Sequence, residues 1–447
     1  MLGYHCTNKM KQLAIFLVFG LTLSVLFSSG QIENPDTHLR LTQTRILLEE
    51  GDFGLPDGVG EDLHGNIALN KDGKRYMVYN PGQTVVFIPI YFFSSLIFSD
   101  EAQSYYLAAF IVSFINYLIH ALSAFVLFKI ALRSGANERS AYFVSIIFGL
   151  TSYSFVFAQS TYEHHFEMLF ILLSFYFSLR SDSKKGGIMA GVMLSIGMFF
   201  RTTTILAIPA ILLIQKNNRS RIKTLLFSSI GVVFVLFYNY YRFENMLESG
   251  YTLAWSLAHG DSITFWAIER IPLSIFGFLL SPGKGLLFFS PTIIIGLLGA
   301  KTLWQKNQTL FLSILLLSLS YLVIFSMNFA WHGSVWSFGP RYLLPIVPFL
   351  YLPAINLRSN KWINSCILIA FILQLSLIAV NYKRDVLEEY VQSDRLSDME
   401  YSFNLQNEPH YSQLIQLTKI MPKNFIQLSN FQPNTPWKKE KRTASSQ

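Results

Sequence analysis

Long apolar runs recur along this chain from residue 12 to residue 380, most of them near the length that crosses a bilayer. A hydrocarbon core of roughly 30 Å takes about 17–25 helical residues. Candidate spans lie near 12–28, 104–130, 140–158, 165–180, 187–200, 203–214, 224–241, 284–301, 308–328, 342–357 and 362–380. Composition agrees: 51% of residues are hydrophobic and only 14% charged, which excludes an ordinary soluble enzyme. The net charge of +8 sits mainly in loops, where it reads as a topology signal rather than a nucleic-acid surface. The first run is too long and too rich in Phe and Leu for a cleaved signal, so it reads as a retained span. Cys6 and Cys366 lie far apart and suggest neither a disulfide framework nor a zinc site. There is no internal repeat and no glycine-rich phosphate loop.

Five basic links set the threading: Lys129/Arg133/Arg139, Arg180/Lys184/Lys185, Lys216/Arg219/Arg221/Lys223, Lys301/Lys306 and Arg358/Lys361. Placing all five in the cytoplasm requires an even number of crossings between successive links. Residues 187–214 then form two short passes with Arg201 at the outer turn, which keeps its charge out of mid-bilayer. Residues 83–98 become a re-entrant or interfacial segment. The expected fold is all-α and polytopic, with about eleven transmembrane helices and the N-terminus inside. A first outer loop covers 29–104, a second covers 242–283, and a tail of 381–447 falls outside. Lys383 and Arg384 oppose that last placement, although Asp385, Glu388 and Glu389 follow them.

This threading gathers the unusual polar residues on one outer face, while the opposite loops are short and basic. In "ENPDTHLRL", Asp36 follows Pro35 and opens a stretch that ends at Gly51, so an N-cap and a reactive carboxylate are both open readings. Leu39, Ile46 and Leu47 fall near one side of that helix, with Arg40 and Gln43 elsewhere, as in an interfacial helix. Lys284 and Arg341 sit at outer span ends among Gly and Pro. They are either snorkelling anchors or cations for a phosphate. Arg201 in "FFRTTT" has a similar setting. Adjacent His164 and His165 would diverge on a helix, so with Glu163 they read as a polar turn rather than a metal set. Trp331, Trp336 and Tyr342 beside His332 read first as an aromatic belt and second as a surface for a sugar.

Further stretches follow in order: Gly51, Asp52 and Phe53; Tyr79, Asn80, Pro81 and Gly82, leading into "FIPIYF"; "FRTTTILAIPAILL"; "YRFENMLESGY"; "LLSPGKGLLFFSP"; and "WSFGPRYLLPIVPFL". Together with Asp36 and Arg45 they resemble the GT-C fold membrane glycosyltransferases that use polyprenyl-phosphate sugars. Within these the chain is similar to the protein O-mannosyltransferase and lipid A aminoarabinose transferase type. The resemblance runs through residues 12–380 and implies a GT-C catalytic domain over 1–380, followed by a short tail. Relatives often carry an acidic pair at the first site, but here Thr37 follows Asp36, which removes half of a metal-binding carboxylate pair.

The resemblance implies an inverting transfer of a sugar from a polyprenyl-phosphate donor to a hydroxyl of a glycan, lipid or protein. The reaction would take place at the outer face of a bacterial plasma membrane. Asp36 would be the general base. Lys284, Arg341 and Arg201 would hold the donor phosphate. Arg45, Tyr79, His164, Trp331, His332 and Trp336 are candidate substrate contacts, and Glu33 and Asp52 are the alternative bases. The expected partners are the lipid-linked donor, the acceptor and membrane lipid, without nucleic acid. No cofactor is expected, with a divalent cation left open. A lipid-linked glycan ligase or polymerase is the alternative enzyme. A transporter or flippase is the alternative from another class, although midplane charges and repeated halves are missing. Cysteines introduced at Asn66, Ser256 and Ser334 are expected to react with an impermeant thiol reagent on intact cells. Those at Ser183 and Asn218 are not, and labelling of either from outside would overturn the threading.

Overall fold

The computed structural model describes residues 2–59, 66–180, 185–259, 265–333, 337, 339–357 and 359–379. The expected tail, 381–447, and Trp336 lie outside these residues. In lipid, backbone amides must be satisfied within the segment, and helices do so. The chain is accordingly a polytopic, all-α membrane protein. Among the described residues, strand structure is confined to one short hairpin and two isolated bridges.

Helix α1 (Leu2–Phe27) is followed by α2 (Pro35–Glu50). The hairpin β1 (Ile67–Leu69) and β2 (Arg75–Met77) leads through Tyr79–Gly82 into α3 (Gly82–Ile97). The long α4 (Glu101–Arg133), α5 (Glu138–Thr151) and α6 (Tyr153–Phe157) come next, then α7 (His164–Ser178) and α8 (Gly186–Phe200). After a 3-10 turn at Thr202–Ala207 come α9 (Ile208–Ile214), α10 (Asn218–Phe243) and α11 (Tyr251–His259). The second half holds α12 (Ile271–Leu280), α13 (Leu286–Phe289), α14 (Ile293–Lys306) and α15 (Gln308–Ser326). It ends with α16 (Val347–Tyr351), flanked by 3-10 turns, and α17 (Lys361–Ala379).

Helices α1, α4, α10, α15 and α17 are long and apolar enough to cross a bilayer, and α3, α8 and the 202–214 segment are shorter apolar helices. The expected break in 187–214 falls at Arg201, whose extended backbone (φ −146°, ψ 125°) ends α8. Segment 83–98 is a 16-residue helix. At 1.5 Å per residue it reaches about 24 Å, short of the hydrocarbon thickness. Phe87 and Tyr91 pack inward with Leu41, Ala108 and Val112, while Phe92, Phe93, Leu96 and Ile97 are exposed.

Residues 242–283 contain α11 and the apolar α12. Two expected spans need revision. The expected span 284–301 is interrupted at Ser290–Pro291 between α13 and α14. The expected span 342–357 alternates between 3-10 and α conformation. Pro345, Pro348 and Pro353 each lack an amide donor, which prevents one continuous α-helix there.

Lys129 Nζ donates to Gln12 Oε1 at 2.6 Å, and Gln12 Nε2 donates to Glu138 Oε1 at 3.3 Å, joining α1, α4 and α5. The loop before α7, residues 159–163, is held by its backbone carbonyls. Asn116 donates to Ser160 O (2.7 Å) and Tyr162 O (2.9 Å), while Thr37 (3.0 Å) and Gln83 (2.8 Å) donate to Thr161 O. Asn34 Nδ2 adds a bond to Thr161 Oγ1 at 3.0 Å. Arg242 at the end of α10 donates to Met77 O at 2.6 Å and anchors the strand that leads to Tyr79. A Cβ on Gly82 would come within 2.7 Å of Phe199 O, so only glycine lets α3 start against the end of α8.

Candidate active site

The first turn of α2 decides what Asp36 can do. Pro35, which has no amide hydrogen to lose, takes the first helical position, and Asn34 caps the helix by accepting from Thr37 N at 2.8 Å. The expectation that Asp36 itself could be the cap is therefore wrong. Its carboxylate lies in the first turn with its side chain released from capping, and the residue is only 8% exposed.

One turn further on lies Arg40, expected off the apolar face of the helix. It is buried instead, because the polar residues Asp36, Thr37, Arg40, Gln43 and Thr44 form the inward stripe of α2. The Arg40 guanidinium lies 4.0 Å from the centroid of the Tyr79 ring, and its Nη2 is 2.8 Å from Glu163 Oε2. The Tyr79 hydroxyl donates to Asn66 Oδ1 at 2.8 Å and lies within hydrogen-bonding reach of Asp36.

Glu163 receives a second cation, since Arg201 Nη1 is 2.5 Å from its Oε1. Arg201 Nε lies 3.1 Å from Glu167 Oε2, and Glu167 Oε1 accepts from Thr203 (2.6 Å) and Tyr321 (2.7 Å). Arg201 is thus committed to two carboxylates, and its expected role at a phosphate is corrected to a structural bridge. Glu163, read as part of a polar surface turn, is a buried hub.

Arg341 stands on the other side of Asp36. Its guanidinium lies 4.7 Å from the Tyr162 ring centroid, its Nη2 donates to the Tyr342 hydroxyl at 3.2 Å, and its Nε has no hydrogen-bond partner among the described residues. Lys284 is buried nearby and donates to Ser337 O at 2.6 Å. Lys284 and Arg341 act on each other and on His332, so these three expected site residues do come together.

Other candidates separate. His164 faces Tyr162 and Tyr342, whereas His165 turns away to Ser154 Oγ at 3.3 Å, as adjacent histidines on a helix do. Trp331 is neither belt nor exposed platform. It is fully buried against Phe278 and Gly277, where a Cβ would come within 2.1 Å of its ring. Arg45 pairs with Glu101 roughly two and a half turns from Asp36, on another side of α2. Asp52 pairs with Lys74 and accepts from Tyr241 at 3.0 Å as a loop anchor. Glu33 lies beside Tyr117. Among the described residues no three His, Cys, Asp or Glu side chains converge as a metal set.

The two neighbouring carboxylates are tuned in opposite directions. Burial pushes the Asp36 carboxyl above the usual aspartate range, against the pull of Arg341 and Arg40, and Glu163 adds to the rise. Burial would raise Glu163 too, but Arg40 and Arg201 together hold it below the usual glutamate range. A buried carboxylate with a raised proton affinity and no ion pair among the described residues is equipped to accept a proton. The two cations beyond it are equipped to meet an anion.

No family model and no curated protein matches the chain by sequence. Solved structures do match, and they show the fold to be that of GT-C membrane glycosyltransferases. ArnT from Cupriavidus metallidurans, crystallised with undecaprenyl phosphate, is similar over 93% of this chain and 79% of its own, at 11% identity and TM-score 0.52. The apo oligosaccharyltransferase of Archaeoglobus fulgidus is similar over 94% of this chain and 55% of its own, at 11% identity and TM-score 0.50.

The opposite tuning gives a signed expectation for stability. Ionising Asp36 opposes folding, so its contribution is full below about pH 4 and is lost as pH rises through its raised value. Asp36→Asn is therefore expected to be at least as stable as the parent at neutral pH, with the gap closing in acid. Glu163 contributes above its unfolded value and loses that contribution as pH falls through its lowered one. Glu163→Gln is expected to cost about 3–5 kcal/mol at neutral pH, because it leaves two buried guanidiniums short of a charge, and less in acid. Thermal unfolding in detergent across pH reads both, and equal behaviour of the two variants would refute the assignment.

Proposed function

We propose that this protein is an inverting glycosyltransferase that moves a sugar from a polyprenyl-phosphate donor to a hydroxyl acceptor on the outer side of a membrane. The observation that carries this reading is the juxtaposition of a buried Asp36 with Arg341 and Lys284 at the outer ends of apolar segments. The polyprenyl chain stays in lipid while its phosphate reaches the two cations. This agrees with ArnT having been crystallised with undecaprenyl phosphate.

Asp36 takes the proton from the acceptor hydroxyl as its oxygen attacks the anomeric carbon. The bond from that carbon to the phosphate oxygen breaks on the opposite side, and the lipid phosphate leaves. Arg341 and Lys284 meet the negative charge that grows on the leaving group, in a site with little water. One displacement inverts the anomeric centre. Tyr79 and the Arg40–Glu163 pair hold Asp36 in place and take no proton in this scheme. The acceptor can be a glycan, a lipid or a protein hydroxyl, and ligation of a lipid-linked glycan uses the same chemistry. No step here requires a cofactor.

Asp36→Asn keeps the size of the side chain and removes the proton acceptor. Turnover at saturating donor is expected to fall by roughly 10² to 10⁴ while the protein stays folded. Arg341→Ala and Lys284→Ala are each expected to lose about 1.5–3 kcal/mol in kcat/KM for release of lipid phosphate. Near-normal turnover of Asp36→Asn would return that residue to structure. Substrate movement without release of lipid phosphate would instead indicate a transporter.

A further inference from the structure

Two neutral polar side chains beside Arg341 are buried with no use for their polar atoms. His164 and Tyr162 are each 1% exposed, and their rings meet edge to face at 5.8 Å. Both ring nitrogens of His164 and the hydroxyl of Tyr162 lack hydrogen-bond partners among the described residues. Burying such atoms without a partner costs roughly 1–3 kcal/mol each. Three such atoms next to one another point to a ligand that supplies what the protein does not.

Their chemistry narrows the ligand. Burial first, and then Arg201, Arg341 and Arg40, disfavour a second proton on the His164 ring. A neutral imidazole offers one donor and one acceptor, and a tyrosine hydroxyl offers the same pair. That combination suits hydroxyl groups, which both give and take. The Arg341 guanidinium lies over the Tyr162 ring, and the Tyr342 ring beside Arg341 lies 5.8 Å from that of His164. A phosphate held by Arg341 therefore brings whatever is esterified to it against these two side chains.

Charge excludes an alternative. A cationic amino sugar needs a carboxylate, and those at hand are engaged. Glu163 holds Arg40 and Arg201, while Glu167 holds Arg201, Thr203 and Tyr321. Asp36 is the proton acceptor of the proposed reaction. We infer that His164 and Tyr162 form the subsite for the hydroxyls of the transferred sugar and select a neutral, polyhydroxylated sugar over an amino sugar. This inference rests on the glycosyltransferase reading.

The test uses the full chain in lipid nanodiscs with synthetic polyprenyl-phosphate donors, reading released polyprenyl phosphate. The donors carry a neutral hexose, each of its singly deoxygenated forms, or an aminopentose. The neutral hexose is expected to exceed the aminopentose in kcat/KM by about tenfold or more. His164→Ala is expected to lose about tenfold with the hexose, and His164→Gln, which keeps a donor and an acceptor, to recover most of it. At least one deoxygenated donor should lose comparably with the parent protein but show no further loss with His164→Ala. A packing role would not produce that non-additivity. If His164→Ala fails to fold, Tyr162→Phe carries the same test, because it removes only the hydroxyl. Equal use of the aminopentose, or losses that add for every deoxygenated donor, would overturn the subsite and leave the glycosyltransferase reading standing. No release from any donor would overturn that reading and the subsite with it.

Discussion

Glu163 holds two guanidinium groups in a place where water is scarce, and the candidate site is organised around that fact. Removing ions from water costs several kcal/mol each, so such a group survives only with close partners and satisfied lone pairs. Here Arg40 arrives from α2, Arg201 from the break after α8, and Glu163 from the loop before α7, so one carboxylate ties three remote segments together. Glu167 extends the chain to Tyr321 on α15. Position at this site is thus set by charge, while apolar packing sets the bundle beneath it.

The same pairing leaves Asp36 apart. Arg40, one turn along the helix, lies nearest Glu163, and Arg341 is drawn to the tyrosines around it. Asp36 feels both cations without forming an ion pair among the described residues, and burial outweighs them. Two carboxylates within one site therefore differ in kind, one fixed as a charge and the other able to take a proton. The division resembles other sites where environment separates an acid from a base.

Much of this was legible in the chain. Apolar runs of bilayer length announced a helical membrane protein, and the basic links located the break at Arg201. Asp36 stood out in the charged cluster that follows the first span, and Lys284 and Arg341 because cations at span ends among Gly and Pro are unusual. The roles of Arg201 and Glu163 were not legible, since their partners lie 38 and 123 residues away in sequence. Arg40 was within reach: at four residues from Asp36, with Gln43 and Thr44 following, it continues a polar stripe at helical spacing. A helix expected to lie in the interface gives no reason to bury its polar residues, yet α2 buries them together with Leu39 and Ile46. Trp331 was misread because an aromatic residue near a span end is usually interfacial, and only the close packing on Gly277 shows otherwise.

The claim at the centre of this account is that Asp36 activates an acceptor for one direct displacement. The anomeric configuration of the product tests it most directly. With a donor of defined configuration, coupling constants from the product sugar measured by NMR are expected to show inversion at the anomeric carbon. Retention would require a covalent sugar–enzyme intermediate and an even number of displacements, and it would contradict the role given to Asp36.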